Sequence, residues 1–330
     1  MINNDDATQA NITIGLNAVI VANIDMQPKV LVIRPTADTF ATSYETLTDH
    51  LLPQNESHEV LPFGPFYPVK HRTLETGLRS WVEEQTHHEI GYLEQLYTFG
   101  NAGRDPREEK GGPRVISVSY LALVQDTGRS KMENAVWRNW YQYFPWEDWR
   151  DGKPALLNAE IIPALRRWIK RAKAKDQHQS RYERASITFG LDGTPWNDEL
   201  VLERYELLYE AHLVAEAQKE EDVICGKAMA LDHRRILATA IGRLRGKIKY
   251  RPVVFELMPS TFTLLELQNV VEALSGNRLH KQNFRRLVEK KGLVEPTGKI
   301  ESSTRGRPAA QFRFRRDVLT ERRALGVRNN

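Results

Sequence analysis

Hydrophobic and polar positions change period several times along the chain. ITIGLNAVIVAN and KVLVIRP, near the N-terminus, are apolar runs separated by a short polar turn and predict two strands. EQLYTFG and PRVISVSYLALV predict two more, on either side of the Gly-, Pro- and charge-rich loop NAGRDPREEKGG. Between these pairs, TLETGLRSWVEEQT (Thr73–Thr86) has helical spacing and puts Leu74, Leu78, Trp81 and Val82 on one face. IIPALRRWIKRA, residues 161–172, reads as a closing amphipathic helix. Strands, helix, strands, helix is the order of an α/β sandwich.

The next stretch, DQHQSRYERASITFGLDGTPW, is polar and rich in turn residues, so it reads as a connector or inserted loop. NDELVLERYELLYEAHLVAEAQ is a periodic helix, with Leu200, Leu207, Leu208, Ala211, Leu213 and Val214 among its apolar positions. From residue 231, Ile236, Leu237, Ala240, Ile241 and Leu244 share one face of another helix, and RPVVFEL follows as a short strand. Thr263 with Glu266 three residues on is a capping-box pattern, opening a helix with Leu265, Leu267, Val270 and Val271. Ser275-Gly276-Asn277 breaks it. A third helix near His280–Lys290 buries Phe284, Leu287 and Val288, with Gly292 as its closing residue. Phe312 and Phe314 alternate with Arg313 and Arg315 in a half-buried strand, after a polar tip at Ser302–Pro308. Helix, strand, helix, turn, helix, hairpin is the order of a winged helix-turn-helix. The expected organisation is α+β, with an α/β/α sandwich over 1–172, a connector and linking helix over 173–228, and a winged helix over 229–330.

Charge sharpens the picture. Residues 231–330 carry 22 Lys and Arg against 9 Asp and Glu, a net of +13, whereas residues 1–230 carry 25 against 34, a net of −9. A basic final third on an acidic body points to a polyanion partner for that third alone. On the third helix, Gln282, Arg285 and Arg286 with flanking Lys281 and Asn283 face away from the apolar positions. Arg reads guanine edges and Gln or Asn reads adenine, so this face fits a major groove. Arg305 and Arg307 in the hairpin tip suit phosphate or minor-groove contacts. Protein docking is the rival use of such a module, and RNA is disfavoured because no interleaved aromatic stacking surface is visible. The single cysteine, Cys225, excludes an intramolecular disulfide framework and a cysteine-rich zinc site. His87 and His88 are adjacent and share no helical face, so no metal site is expected. The polar, acidic start and the lack of an apolar run near 18–20 residues predict a cytoplasmic protein with no membrane association.

The strand order and the Thr73–Thr86 helix together resemble the Nudix fold. That family's box runs Gly, five residues, Glu, seven residues, Arg-Glu, a bulky apolar residue, any residue, Glu-Glu, any residue, Gly. Anchored on Arg79, it places Trp81 at the bulky position and keeps Glu83 and Glu84. Pro65, His71, Ser80 and Thr86 stand where the leading Gly, two glutamates and the closing Gly belong. Magnesium chemistry needs converging carboxylates, so efficient hydrolysis is not expected, and no catalytic or metal residue is assigned. YLEQLYTFGNAGRDP, RVISVSYLAL, MALDHRRILATAIGRLRGKIKY, NFRRLVEKKGLVEPTG and RGRPAAQFRF resemble Nudix-related transcriptional regulators of the NrtR and NadQ type. The chain length and WEDWRDGKPALLNAEIIPALRRW are closer to the longer, alphaproteobacterial NadQ form. The resemblance implies a repressor of NAD biosynthesis or salvage genes, a homodimer on a palindromic operator, and no required cofactor. It also implies an adenine-nucleotide effector (NAD, ADP-ribose or ATP) in the Nudix cleft. Arg104, Asp105 and Arg114 are the effector positions carried over, with Arg79 and Glu83 in the same wall. The alternative is an active Nudix pyrophosphohydrolase with a DNA-binding tail.

Overall fold

The computed structural model describes residues 12–34, 59–87, 90–102, 108, 112–125, 134–217, 225–301 and 308–315. Two sheets organise it. The first contains β1 (Ile12–Ile24), β2 (Gln27–Ile33), β3 (Phe63–Pro65), β4 (Tyr92–Phe99), β5 (Arg114–Leu123) and β6 (Ala135–Asn139). Its order is β4-β5-β1-β2-β6, with β3 also on β1. β1 and β5 pair in parallel from Ile12↔Arg114 to Val21↔Leu123, and the other pairs are antiparallel. β1 is buried on both faces from Gly15 to Ala22, which explains its unbroken apolar run. The β1–β2 turn uses Asp25 and Met26, with φ of 53° and 57°; positive φ at both central residues matches the twist of a tight hairpin.

Leu16, Ala18 and Ile20 face α1 (Leu74–Thr86), which contributes Leu78 and Val82 to that core. Leu74 and Trp81, expected on the same buried face, are only half-buried. Val19, Val21, Val30 and Val32 belong to a second core that continues through Trp140 and Trp146 into the helices. These are α2 (Ile162–Lys170), α3 (Lys175–Phe189), α4 (Val201–Glu210) and α5 (His233–Tyr250). The expected loop at 176–196 is therefore mostly helix. α3 is polar until its last turn, where Ala185, Ser186, Thr188 and Phe189 become buried, and Gly190 closes it at φ 62°. α4 is shorter than expected: it stops at Glu210, before Leu213 and Val214.

The C-terminal part contains β7 (Phe262–Thr263), α6 (Leu264–Ser275), α7 (Lys281–Lys290), β8 (Val294–Glu301) and β9 (Ala309–Phe314). Its sheet order is β7-β9-β8. The expected strand in RPVVFEL is instead a 3-10 helix, Val253–Leu257. Pro252 begins it, Val253, Val254, Phe255 and Leu257 are buried, and β9 pairs with Phe262 and Thr263 in its place. The Thr263 cap holds as expected: Thr263 Oγ1 accepts from Glu266 N at 3.2 Å, and Thr263 N donates to Glu266 Oε2 at 2.7 Å. Leu265, expected among the apolar positions of this helix, is exposed.

α5 serves both parts. As the first helix of the winged-helix order, it buries Ile236, Leu237, Ala240, Ile241 and Leu244. Its polar side chains grip the first domain: Leu61 N donates to His233 Nδ1 at 2.9 Å, Arg234 Nη2 donates to Tyr143 O, and Lys247 pairs with Glu94. Glu59, just before β3, secures the chain that leads into α5. Its carboxylate accepts from Arg138 Nε at 2.8 Å, Tyr143 OH at 2.5 Å and Lys227 Nζ at 2.8 Å. Burial pushes the Glu59 carboxyl upward, but donation from Arg138, Lys227 and Tyr143 outweighs it and holds the group below its ordinary range.

Candidate nucleic-acid interface and sensor site

α1 is built locally. Thr73 caps it through a reciprocal bond with Thr76, and His87 ends it at φ 53°. Trp81 and Gln85 dock it on β3: Trp81 Nε1 donates to Pro65 O at 2.8 Å, and Gln85 bonds Phe63 through N–H and carbonyl at 3.1 and 2.7 Å. Gly64 is required for this approach, because a Cβ there would lie 2.3 Å from the Trp81 ring. Arg79 is committed to structure. Its Nε donates to Glu75 Oε1 at 3.0 Å, and Nη1 donates to Ile90 O beyond the helix. Ser80 Oγ donates to Glu84 Oε1 at 2.9 Å, while Glu83 and Glu84 are exposed. His71 is buried, accepts from Tyr67 N at 3.2 Å, and packs where a Cβ on Gly77 would come within 2.7 Å of it. The box position held by His71 therefore packs against Gly77 and secures the turn at Tyr67.

Of the remaining expected effector residues, Arg114 is exposed and its Nη2 donates to Gly100 O at 2.6 Å, closing the base of the β4–β5 loop. Arg104 and Asp105 lie outside the described residues. Among those described, no hydrogen bond or ion pair joins Arg114 to Arg79 or Glu83.

α7 is more legible. Phe284 and Val288 are buried, while Lys281, Gln282, Asn283, Arg285 and Arg286 are all exposed on one short helix. Leu287, expected in the core, is 49% exposed. Glu272 of α6 sets the turn before α7: its carboxylate accepts from Gln268 Nε2 at 2.8 Å, Leu279 N at 3.0 Å and Arg278 Nη1 at 3.0 Å. Burial raises the Glu272 carboxyl, and these three donors more than reverse it, so it stays below its usual range. Gly292, at φ 58°, donates to Glu289 O at 2.9 Å and ends the helix as expected. The wing follows as β8 and β9, with Arg313 Nε on Glu295 at 2.6 Å. Arg305 and Arg307, at its tip, lie outside the described residues.

Sequence reasoning missed a buried charge cluster at the junction. Glu147, Arg204 and Arg245 have side chains 0 to 1% exposed, with Arg204 Nε 2.5 Å and Arg245 Nη1 2.6 Å from the Glu147 carboxylate. The signal was faint: Glu147, Arg204 and Arg245 sit among other charged residues in FPWEDW, VLERYELL and IGRLRGKI, and nothing in the three stretches marks which charge is buried.

A six-stranded mixed sheet with a helix on one face and a three-stranded winged helix at its end define a Nudix-type fold joined to a winged helix-turn-helix. Residues 254–314 match the NrtR DNA-binding winged helix domain. The chain is 41% identical over 86 residues to the ADPR-responsive transcriptional repressor NtrR of Acinetobacter baylyi, a match covering 26% of this chain and 34% of that one, about a third of its length. Shewanella oneidensis NrtR shares the fold with a TM-score of 0.53 and 21% identity, over 92% of this chain and 95% of its own. The same protein complexed with a 27mer DNA gives 0.51 and 22%, over 93% and 95%. A MutT/nudix family protein from Enterococcus faecalis gives 0.50 and 16%, over 92% and 87%. The architecture is that of the NrtR regulators, in fold and in the type of its winged helix.

Proposed function

We propose that this chain is an effector-responsive transcriptional repressor that binds double-stranded DNA through α7 and the β8–β9 wing. The carrying observation is α7 itself: five polar and basic side chains exposed on one helix, in a domain matched to an NrtR DNA-binding winged helix. Major-groove readout by a short helix gains little affinity alone, so two copies on a palindromic operator complete the reading. ADP-ribose is the favoured effector, because the Acinetobacter relative is named as ADPR-responsive; NAD and ATP are the competitors to titrate against it. Genes of NAD biosynthesis or salvage are the expected targets. The Nudix-type domain acts here as a receptor. Glu83 and Glu84 are adjacent on a helix and so diverge, and Ser80 offers a hydroxyl that already donates to Glu84. Operator and effector affinities are linked, so an effector that lowers one lowers the other by the same factor.

The test is a promoter-shift titration over a salt series, with and without each nucleotide, beside a turnover assay using magnesium and ADP-ribose. Salt-dependent, sequence-selective binding that ADP-ribose alone weakens is the expected outcome. Brisk metal-dependent turnover that vanishes in Glu84→Gln supports the hydrolase alternative instead.

A further inference from the structure

The buried cluster at the junction ties together segments far apart in the chain, from Glu147 to Leu274. Glu147 belongs to the segment that follows β6. Arg204 of α4 grips its carboxylate with two donors, Nε on Oε1 at 2.5 Å and Nη2 on Oε2 at 2.9 Å. The second oxygen also receives Arg245 Nη1 of α5, at 2.6 Å. Two guanidiniums against one carboxylate leave an excess positive charge, and backbone carbonyls absorb it. Arg204 Nη1 donates to Thr188 O at 3.0 Å and Asn197 O at 2.8 Å. Arg245 donates to Leu274 O at 3.2 Å, Asp198 O at 3.0 Å and Glu147 O at 3.1 Å. Leu274 is in the last turn of α6, the helix directly before α7. The same carbonyl of Glu147 faces Gly276, where a Cβ would come within 2.4 Å, and Gly276 O accepts from Trp149 N at 2.7 Å.

Stability alone does not explain this arrangement. Taking three charged groups out of water costs so much that well-packed apolar side chains commonly do as well or better. What charge supplies and apolar packing lacks is direction: a guanidinium fork donates along fixed lines and so fixes angles between the segments it joins. Here those segments are the end of the sensor fold, the linking helices and the end of α6.

We infer that Glu147, Arg204 and Arg245 are positioning residues for DNA recognition. They set the angle at which α6, and with it α7, leaves the Nudix-type fold. In a pair of chains this angle fixes the distance between two reading helices, although the cluster lies on none of the exposed residues of α7. The inference rests on the paired reading of DNA proposed above.

The experiment compares a duplex carrying both half-sites, obtained by selection with the full-length wild-type protein, with a duplex carrying one. Duplexes with one base pair added or removed between half-sites complete the set. The main variant replaces the cluster with apolar residues, Glu147→Met with Arg204→Leu and Arg245→Leu. A second variant, Gly276→Ala, keeps all three charges but forces a shift at the Glu147 carbonyl, because a Cβ at φ 75° would lie 2.4 Å from it. Folding is checked by circular dichroism and urea unfolding. Half-site affinity is expected to stay within about twofold of wild type. The extra affinity for the two-site duplex is expected to fall at least tenfold, or to move to the altered spacing, in whichever variants fold. A lost spacing preference with intact half-site binding is a result that a merely structural role does not produce. Retention of the two-site advantage at the original spacing in the folded variants overturns the inference, as does an equal loss on both duplexes. If wild type binds one and two half-sites equally, the paired reading fails first, and the inference with it.

Discussion

Replacing Gly64 with alanine tests how α1 is seated. The added Cβ would sit 2.3 Å from Cδ2 and Cε2 of Trp81, well inside contact distance. Trp81 cannot yield cheaply, because its Nε1 is bonded to Pro65 O at 2.8 Å. Overpacking of this kind costs about 1–3 kcal/mol, and losing the indole bond adds about 1 kcal/mol. Against this, alanine in a strand is favoured over glycine by roughly 0.5–1 kcal/mol. The net expectation is a destabilisation of about 1–3 kcal/mol. Urea unfolding of Gly64→Ala, Trp81→Leu and the double variant isolates the cause. With Trp81 removed, the clash is gone, so Gly64→Ala should cost nothing or stabilise slightly. A coupling energy near 2 kcal/mol is therefore expected between these contacting residues. The reasoning is refuted if Gly64→Ala costs the same in both backgrounds.

Three further outcomes follow from the charges. Because the native Glu59 carboxyl titrates below its unfolded value, the stability it contributes is present above about pH 4.5 and is lost as pH falls through the lower native value; acid unfolding of Glu59→Gln should therefore show a shallower loss on that limb. Arg286→Ala should lower discrimination between operator and scrambled duplex by about 1–3 kcal/mol, and an equal loss on both would remove α7 as the reader. Arg104→Ala should weaken ADP-ribose binding by about 1.5–3 kcal/mol while leaving effector-free DNA affinity nearly unchanged, and calorimetry showing unchanged binding would leave it a turn residue.

What was legible in the chain was local. The Thr263 and Glu266 cap, the Gly276 and Gly292 helix ends and the long runs of β1 and β5 each depend on neighbours within a few residues. The elements that were missed depend on distant partners. FGP is too short to show a strand pattern, yet it becomes β3 because β1 offers it an edge. AVWRN is too short and interrupted to stand out, and pairs with β2 from Lys29↔Asn139 to Ile33↔Ala135. VVFEL has the residues of a strand but no edge to join, so it coils. α3 hides its helix in polar residues because only its last turn is buried. At the site, the exposed face of α7 follows from helical period alone. Glu147, Arg204 and Arg245 are 41 to 98 positions apart and give no pattern that sequence spacing could reveal.

The double duty of α5 has a consequence for protein engineering. A winged helix is often treated as a cartridge that can be cut out and attached to another receptor. Here the cut falls badly on either side. Starting at residue 254 discards the helix that fills the cartridge's own core. Starting at residue 229 exports that helix with Arg234 and Arg245, whose side chains are 0 and 1% exposed in the intact chain, stripped of Glu216 and Glu147. A chimera from this protein must carry the Nudix-type fold along, or redesign α5 for water.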